Sequence, residues 1–236
     1  MQNLLTIAGR QFRSYFNGAI AYIIICFILL VVGFYFWETF FLYRRATTRE
    51  LFSLMSLINY FALPALTMGL IAEEKRTKTI EILITMPVTE AQVILGKFLG
   101  VLGLYAVLLA LTLPYPISVS FLGELDWGPV FAGYVSLLLQ GSAILAIGLM
   151  ASSLTESQIT ALFITWSFTI VFFLIDKFLP LAPLSIAGLL EFLSFDAHLD
   201  SMRRGVIAMR DLIFFTTVSA IGLMVAFRAL ESRRWS

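Results

Sequence analysis

The sequence contains very few of the residues that usually carry catalysis or cross-linking. Among its 236 residues there are one cysteine and one histidine. The single cysteine, Cys26, excludes a disulfide framework and a cysteine metal site, and its apolar surroundings predict a small buried or lipid-facing residue. The single histidine, His198, excludes the paired-histidine motif of the common zinc hydrolases. Because it lies between Asp196 and Asp200, we interpret it as a polar loop residue rather than a ligand or base.

The sequence also has no phosphate-binding loop of the Walker type and few charged residues. No Gly-x-x-x-x-Gly-Lys-Ser/Thr sequence occurs, so the chain does not hold nucleotide phosphates by that route. Only 13% of the residues are charged and the net charge is +1, which predicts no nucleic-acid partner. By contrast, 60% are hydrophobic and the mean hydropathy is +0.93. Soluble chains are roughly half apolar and about a quarter charged, so this composition predicts a polytopic membrane protein.

Six apolar segments have the length that a helix needs to cross a bilayer. The predicted fold is all-α, a single transmembrane domain of six helices with an N-terminal interfacial helix. The spans are residues 19–37, 52–72, 98–118, 129–151, 158–175 and 212–227. A charged loop at 73–97, an external segment with short helices at 176–210 and a tail at 228–236 complete the chain. Six spans place both termini on the same side of the membrane.

Residues 1–18 alternate polar and apolar side chains instead of forming the blocks of a signal peptide. One helical face would carry Asn3, Thr6, Arg10, Arg13 and Asn17. The opposite face would carry Leu4, Leu5, Ala8, Phe12, Tyr15 and Phe16. The pattern predicts an amphipathic helix that lies in the membrane interface with its arginines toward water.

The charged loop between the second and third spans predicts two helices with a break between them. In the first helix, residues at i, i+3 and i+4 form one apolar face, made of Ile80, Leu83 and Ile84, while Arg76 lies elsewhere on the same helix. Pro87 ends that helix, because the residue before a proline is pushed out of the α region. Thr89 and Gln92 then have the spacing of a capping box, and the second helix should continue into span three.

Polar side chains inside the spans admit two interpretations. Asn59, Thr67, Gln140 and Thr165, together with Thr112, would line a cavity suited to an amphipathic or lipid-linked molecule, or would serve helix packing. Pro64 should bend the second span. Pro114 and Pro116 should close the third, and the Gly96-x-x-x-Gly100 spacing near its start permits close helix contact.

Charge gives a small preference for orientation. Nine basic residues fall on the side of the termini: Arg10, Arg13, Lys75, Arg76, Lys78, Lys97, Arg228, Arg233 and Arg234. Seven fall on the other side: Arg44, Arg45, Arg49, Lys177, Arg203, Arg204 and Arg210. The positive-inside rule then favours cytoplasmic termini.

One enzymatic interpretation fails on its motifs. Intramembrane proteases of the CAAX-processing and bacteriocin-protection type carry Glu-Glu-x-x-x-Arg, Phe-x-x-x-Arg and His-x-x-x-Asn/Asp. Here Glu73-Glu74 is followed by Lys78 at the arginine position, and His198 is followed four residues later by Met202. Only Phe40 to Arg44 fits. Lysine does not replace arginine at a bidentate site, so we expect a non-catalytic chain.

A different resemblance extends over most of the chain. Residues 73–83, EEKRTKTIEIL, resemble the Glu-x-(Lys/Arg)-x-x-Gly-Thr-x-Glu-x-Leu element in the membrane subunit of ABC-2-type transporters. A Met-Pro-Val-Thr turn follows, as in that family, and Lys78 stands where the family usually has glycine. The amphipathic N-terminal helix before six spans and the segment 192–234 with its basic end are also similar. Within the family, the chain looks most like permeases of the gliding-motility and nitrous-oxide-reductase-maturation groups.

The resemblance implies a function and partners. It implies a permease that forms a homodimer or heterodimer and docks on a separate cytoplasmic ATPase. That ATPase would hold ATP and Mg²⁺, with no cofactor in this chain. It implies an exporter in a bacterial inner membrane with cytoplasmic termini, and periplasmic or accessory proteins are further candidate partners. The alternative is a membrane anchor through which an ATPase exerts force without transport. The ATPase-contacting coupling helix region would comprise Glu73, Glu74, Lys75, Arg76, Thr79, Ile80, Glu81, Leu83 and Ile84. Glu73 or Glu74 is also expected to pair with Lys97.

Overall fold

The computed structural model describes residues 2–43, 48–79, 89–181 and 183–232, and every regular element within those ranges is a helix. This confirms the all-α prediction. The described helices are α1 Gln2–Asn17, α2 Ala19–Tyr43, α3 Arg49–Thr67, α4 Ala72–Arg76, α5 Glu90–Leu111, α6 Pro114–Leu122, α7 Trp127–Leu154, α8 Gln158–Phe178, α9 Leu184–Leu193, α10 Phe195–Arg203 and α11 Met209–Glu231. A single 3₁₀ turn, Leu179–Leu181, follows α8.

Six segments of the described chain are long and apolar enough to cross a membrane, as predicted. They are Ala21–Glu38, Arg49–Arg76, Glu90–Phe121, Trp127–Leu154, Gln158–Phe178 and Met209–Glu231. The second to sixth segments extend beyond the predicted spans, because capping and turn residues, rather than the edges of the apolar runs, decide where a helix ends.

The third span differs from the prediction at its far end. Helix α5 ends at Leu111, and after a turn the chain resumes as α6, which begins at Pro114. The prediction that Pro114 and Pro116 close the span is therefore wrong, because both prolines lie in the first turn of α6. There the missing backbone N–H has no helical acceptor to lose and the fixed φ of proline suits a helix.

Helix α1 packs along the first half of α5, and glycines allow the close approach. A Cβ on Gly96 would lie 2.7 Å from the side chain of Ile7, and one on Gly100 would lie 2.7 Å from the side chain of Gln11. The polar face predicted for α1, including Arg10 and Arg13, is exposed. The Gly96-x-x-x-Gly100 motif is thus used to seat the N-terminal helix on span three.

Helix α7 is the central helix, packing against α3, α5, α8, α10 and α11. Its small residues admit larger neighbours. A Cβ on Gly141 would overlap the ring of Tyr105, and one on Gly148 would overlap the side chain of Thr67. Since α7 has 28 residues at about 1.5 Å each, its two ends are about 42 Å apart.

Two further predictions concern the start of α5 and the short helices of the segment 176–210. Thr89 Oγ1 accepts from the N–H of Gln92, and the N–H of Thr89 donates to Gln92 Oε1, which confirms the capping box at the start of α5. Two short helices, α9 and α10, lie within residues 176–210, the segment for which the sequence predicts short helices. Helix α10 is capped by Ser194, whose Oγ accepts from the N–H of Ala197.

Candidate functional site

The second span does not run straight into the charged segment. Helix α3 ends at Thr67 and α4 begins at Ala72, and the turn at residues 68–71 between them is here called the joint. The last carbonyls of a helix and the first N–H groups of the next have no partner within their own helix. In the joint these groups bind side chains from three other helices.

Three carbonyl oxygens at the joint each accept from a different helix. The carbonyl of Leu66 accepts from the hydroxyl of Tyr15 on α1 at 2.7 Å. The carbonyl of Met68 accepts from the hydroxyl of Ser152 on α7 at 3.0 Å. The carbonyl of Leu70 accepts from the ammonium of Lys97 on α5 at 2.6 Å, so the break is held from three sides.

Ser152 also supplies the N-cap that α4 lacks in its own sequence. The residue at the cap position is Ile71, whose side chain cannot accept a hydrogen bond. Ser152 Oγ instead accepts from the N–H groups of Ile71 and Ala72, both at 3.0 Å. A single buried hydroxyl thus binds both the end of one helix and the start of the next.

The charged residues of α4 hold it against the bundle. Glu74 pairs with Lys97, the distance between Oε1 and Nζ being 2.8 Å, and the Lys97 side chain is only 5% exposed. This confirms the pair expected from sequence, with Glu74 as the partner. Lys75 is buried, and its ammonium donates to the carbonyl of Ser153. It therefore faces α7, not the outer surface.

Glu73 has partners on both sides. It forms two hydrogen bonds with Arg76, at 2.7 and 3.2 Å, and accepts from the side-chain amide of Gln158 at the start of α8. Arg76 itself is 64% exposed, and Thr77, Lys78 and Thr79 are exposed with it. The segment thus has one side bound to α5, α7 and α8 and one exposed side.

The prediction of one helix running from Arg76 to Ile84 is wrong at its first turn. Helix α4 ends at Arg76, and Lys78 takes a φ of 56°, the left-handed conformation that glycine adopts without strain. Lys78, at the position where the resemblance implies glycine, therefore lies directly after the C-cap residue Thr77 at the end of α4. Four predicted contact residues, Ile80, Glu81, Leu83 and Ile84, lie outside the described residues.

The polar residues within the spans form a buried network in part. Asn59 Nδ2 donates to the hydroxyl of Tyr105 at 2.7 Å and to Gln140 Oε1 at 3.3 Å, and Gln140 Nε2 donates to Ser56 Oγ at 2.9 Å. These bonds join α3, α5 and α7. They favour the packing interpretation for Asn59 and Gln140.

The predicted threonines do not join this network. The hydroxyl of Thr67 donates to carbonyls of its own helix, as does that of Thr165, and both side chains are fully buried. Thr112 meets the hydroxyl of Tyr134 at 3.0 Å. A role in lining a cavity stays a prediction for these residues.

Sequence reasoning missed a second buried polar group at the other end of the bundle. The prediction that His198 is a polar loop residue is wrong. It is a fully buried residue of α10. Its Nδ1 lies 2.7 Å from Asp211 Oδ1 and its Nε2 lies 3.0 Å from the carbonyl of Phe192. Since a carbonyl only accepts, Nε2 must donate to Phe192, and one proton bridges Nδ1 and Asp211. The ring stacks on Phe214 at 4.2 Å.

The flanking Asp196 and Asp200 suggested a solvated position because they are charged. In the structure Asp196 pairs with Arg203 in α10, and Asp200 pairs with Arg204 at the end of that helix. Asp211, 1% exposed at the start of α11, also accepts from Ser201 Oγ at 2.6 Å. No local pattern in the sequence links positions 198, 201 and 211, since the link depends on how α9, α10 and α11 pack.

The described chain is a six-span helical bundle with a broken second span and a charged segment beside the break. The family model described as ABC-2 family transporter protein matches residues 38–227. The chain therefore belongs to the ABC-2 transporter family. It is a multi-pass, non-catalytic permease component, of the kind that generally pairs with an ABC ATPase. No curated protein matches the chain.

Proposed function

We propose that this chain is the permease of an exporter and that its ATPase binds the segment beginning at Glu73. The observation that carries the proposal is the two-sided character of residues 73–79. Glu73, Glu74 and Lys75 are bound to α8, α5 and α7, while Arg76 and Thr79 are exposed. A partner that contacts the exposed side acts on a segment already attached to the rest of the bundle.

The joint would transmit a displacement of α4 to the membrane-spanning helices. Displacement of α4 would act on Ser152 and Lys97 directly, because both hold the joint and α4 together. It would also act on α8 through the bond between Glu73 and Gln158. Packed elements of this kind move between discrete arrangements, so ATP-driven closure of the partner would favour one packing of the spans over another. ATP and Mg²⁺ would be held by the ATPase.

Assembly and location complete the proposal. The permease would act with a second copy or a homologue, in a bacterial inner membrane, with both termini and Glu73 in the cytoplasm. The count of basic residues supports this orientation. The finer similarity to the gliding-motility and nitrous-oxide-reductase-maturation permeases rests on sequence resemblance alone.

Co-purification tests the docking proposal. The tagged chain is solubilised in detergent from cells that carry its neighbouring genes, and bound proteins are identified by mass spectrometry. We expect a Walker-type ATPase with the wild type, and its loss when Ile80→Asp and Leu83→Asp are combined. Ile186→Asp with Leu189→Asp is the matched control, since both residues are exposed on α9 with the same spacing. Loss of the ATPase from both pairs, or from neither, would reject the docking site.

Glu74 provides a test of coupling as distinct from assembly. Glu74→Ala removes the partner of Lys97 without touching the exposed Arg76. We expect the ATPase to remain bound while its transport-coupled hydrolysis falls. Unchanged coupling in Glu73→Ala, Glu74→Ala and the double variant would reject a role for these carboxylates.

The buried network supports a second candidate, a membrane anchor that transmits force without transport. Asn59 and Gln140 bind each other in the interior of the bundle and are 2% and 0% exposed. A pathway through the middle of one chain would need them to separate. Detection of cargo in the purified complex distinguishes the exporter, which should hold one, from the anchor, which should not.

A further inference from the structure

Helix α1 has an exposed polar side that the proposed function does not use. Its other side packs along α5, where Gly96 and Gly100 allow close approach. The polar side, here called the exposed arc, carries Asn3, Arg10, Arg13 and Asn17. Because α5 covers the opposite side of the helix, the exposed arc is the surface that a partner of α1 would contact.

The exposed arc lies at the level where the spans end. The hydroxyl of Tyr15 on α1 donates to the carbonyl of Leu66, in the last turn of α3. Only Gly18 separates α1 from α2, and the apolar segment of α2 begins at Ala21. The ends of membrane-spanning helices meet the lipid headgroups, so α1 lies beside the headgroup layer.

The charges of the exposed arc are not neutralised by the chain. Arg10 and Arg13 form no ion pair within the part of the chain that the structure describes, and α1 contains no acidic residue. By contrast, a carboxylate partner is present for Arg76, Arg203, Arg204, Arg210 and Arg228. The two guanidinium groups of α1 are one turn apart and suit the planar, bidentate recognition of a phosphate. The exposed arc therefore favours an anion over a cation.

An apolar edge borders the exposed arc and indicates the rest of the ligand. Leu5 is 67% exposed at this edge. Phe12 and Phe16 continue the same stripe of α1 with their ring centroids 5.0 Å apart, and Phe16 contacts the exposed Tyr22 of α2. A soluble anion would contact the arginines alone, whereas an anionic amphiphile would contact both the arginines and this edge.

We propose that the exposed arc of α1 binds an anionic membrane phospholipid of the phosphatidylglycerol type. Its phosphate lies at Arg10 and Arg13, and an acyl chain lies along Leu5 and Phe16. A zwitterionic lipid also carries a phosphate, but its own ammonium cancels the charge that attracts it to the arginines. The bound lipid is connected to the joint through the hydroxyl of Tyr15. This inference does not rest on docking of an ATPase.

Lipid binding to the purified full-length chain tests the proposal. The delipidated chain in detergent is titrated with phosphatidylglycerol and phosphatidylcholine of identical acyl chains, and adducts are counted by native mass spectrometry. We expect about tenfold tighter binding of the glycerol lipid, which corresponds to about 1.4 kcal/mol. Free glycerol phosphate at a similar concentration should not displace the lipid, because it has no acyl chain for the apolar edge.

Paired substitutions locate the adduct. Arg10→Gln combined with Arg13→Gln should abolish the preference for the glycerol lipid, and Arg10→Glu combined with Arg13→Glu should reverse it. Arg204→Gln combined with Arg228→Gln is the matched control. It removes the same charge from side chains that are 62% and 75% exposed, but each of these arginines already pairs with a carboxylate. The control should retain the preference.

Four results would overturn the proposal. The first is equal binding of the two lipids by the wild type. The second is a preference that survives the glutamine substitutions at Arg10 and Arg13, which would place the lipid elsewhere. The third is an equal loss of preference in the control, which would show an effect of net charge alone. The fourth is displacement by glycerol phosphate, which would identify a soluble anion as the occupant. All four substituted arginines are exposed, so the variants leave the packed interior unchanged.

Discussion

The two ends of α7 hold the chain together by different means. At one end, Ser152 and its neighbours from α1 and α5 satisfy backbone groups that a break in the second span leaves open. At the other end, the short helix α10 is capped by its own Ser194 and held by the side-chain contact between His198 and Asp211. The backbone groups at the joint are bound by side chains from α1, α5 and α7, whereas the first turn of α10 is capped by the residue that precedes it.

The side chains that surround the two ends of α7 also differ, being aromatic at one end and polar at the other. Around His198 the rings of Phe192, Phe195, Phe214 and Phe215 contact one another at centroid distances of 5.3 to 5.9 Å. Around the joint the contacts are polar and reach the surface through Arg76. We infer that the aromatic end is the rigid anchor of the bundle and that the joint is the part that transmits displacement.

The largest effect is expected at the anchor. His198→Ala removes the stack on Phe214, leaves Asp211 without its ring partner and leaves the carbonyl of Phe192 without a donor. We expect a loss of about 4 kcal/mol in the free energy of unfolding from the cavity and the unpaired groups. In detergent this should lower Tm by roughly 10 °C.

The control for that prediction lies on the same helix. Asp200 pairs with Arg204 at the surface, and an exposed ion pair contributes little to stability. Asp200→Ala should leave Tm unchanged. A similar loss in both variants would show that α10 is sensitive to any substitution and that His198 has no special part in the anchor.

The next effect is expected at the joint. Ser152→Ala leaves the N–H groups of Ile71 and Ala72 and the carbonyl of Met68 without the partner that they share. We expect a loss of about 3 kcal/mol, because each unsatisfied buried group costs about 1–3 kcal/mol before the structure relaxes. Amide hydrogen exchange at Ile71 and Ala72 should accelerate first.

Ser153 is a matched control for Ser152. It is equally buried, but its hydroxyl donates only to the carbonyl of Met150 in its own helix, and its bond to Lys75 is made by the backbone. Ser153→Ala should leave exchange at the joint unchanged. Equal acceleration in the two variants would contradict the assignment of Ser152 as the cap of α4.

A third effect separates buried from exposed pairing. A double-mutant cycle with Glu74→Gln and Lys97→Met should give a coupling of about 2 kcal/mol in the free energy of unfolding, because the Lys97 ammonium is buried with Glu74 as its only carboxylate partner among the described ion pairs. The same cycle with Glu73→Gln and Arg76→Met should give no measurable coupling, since that pair is exposed. Equal couplings would remove the distinction between the two sides of α4.

The smallest effect concerns the residue that ends α4. Lys78 has a φ of 56°, where a side chain costs roughly 1–2 kcal/mol and glycine costs nothing. Glycine relieves this strain but also increases the conformational entropy of the unfolded chain, which offsets part of the gain. Lys78→Gly should therefore stabilise the end of α4 by about 0.5 kcal/mol. Slower hydrogen exchange in α4 would show this, and Lys78→Ala, which keeps the Cβ, should show no gain. A gain with alanine would contradict the explanation by backbone strain.

Elements governed by neighbouring residues were predictable from the sequence. The capping box of Thr89 and Gln92 acts over three residues, and the pair of Glu74 and Lys97 joins the two edges of one charged loop. The six spans follow from apolar runs of sufficient length. In each case the physical cause lies within a short stretch of chain.

The joint and the anchor depend on contacts between distant residues. The second span looks continuous in sequence, and its break is satisfied by Ser152, about 80 residues away in the chain. His198 lies between two acidic residues that suggest solvent, yet its burial is set by α9 and α11. Both features depend on how separate helices pack, so periodicity and motif analysis of the sequence could not predict the joint or the burial of His198.

ATP hydrolysis by the purified complex is the most direct test of the joint as the transmitting element. The permease and its co-purified ATPase would be reconstituted in nanodiscs as wild type, Ser152→Ala and Ser153→Ala. We predict that all three bind the ATPase equally, and that Ser152→Ala alone loses most of the stimulation that the permease gives to hydrolysis. Stimulation of the Ser152→Ala complex at the wild-type level would contradict the account, because it would show that displacement reaches the spans without the joint.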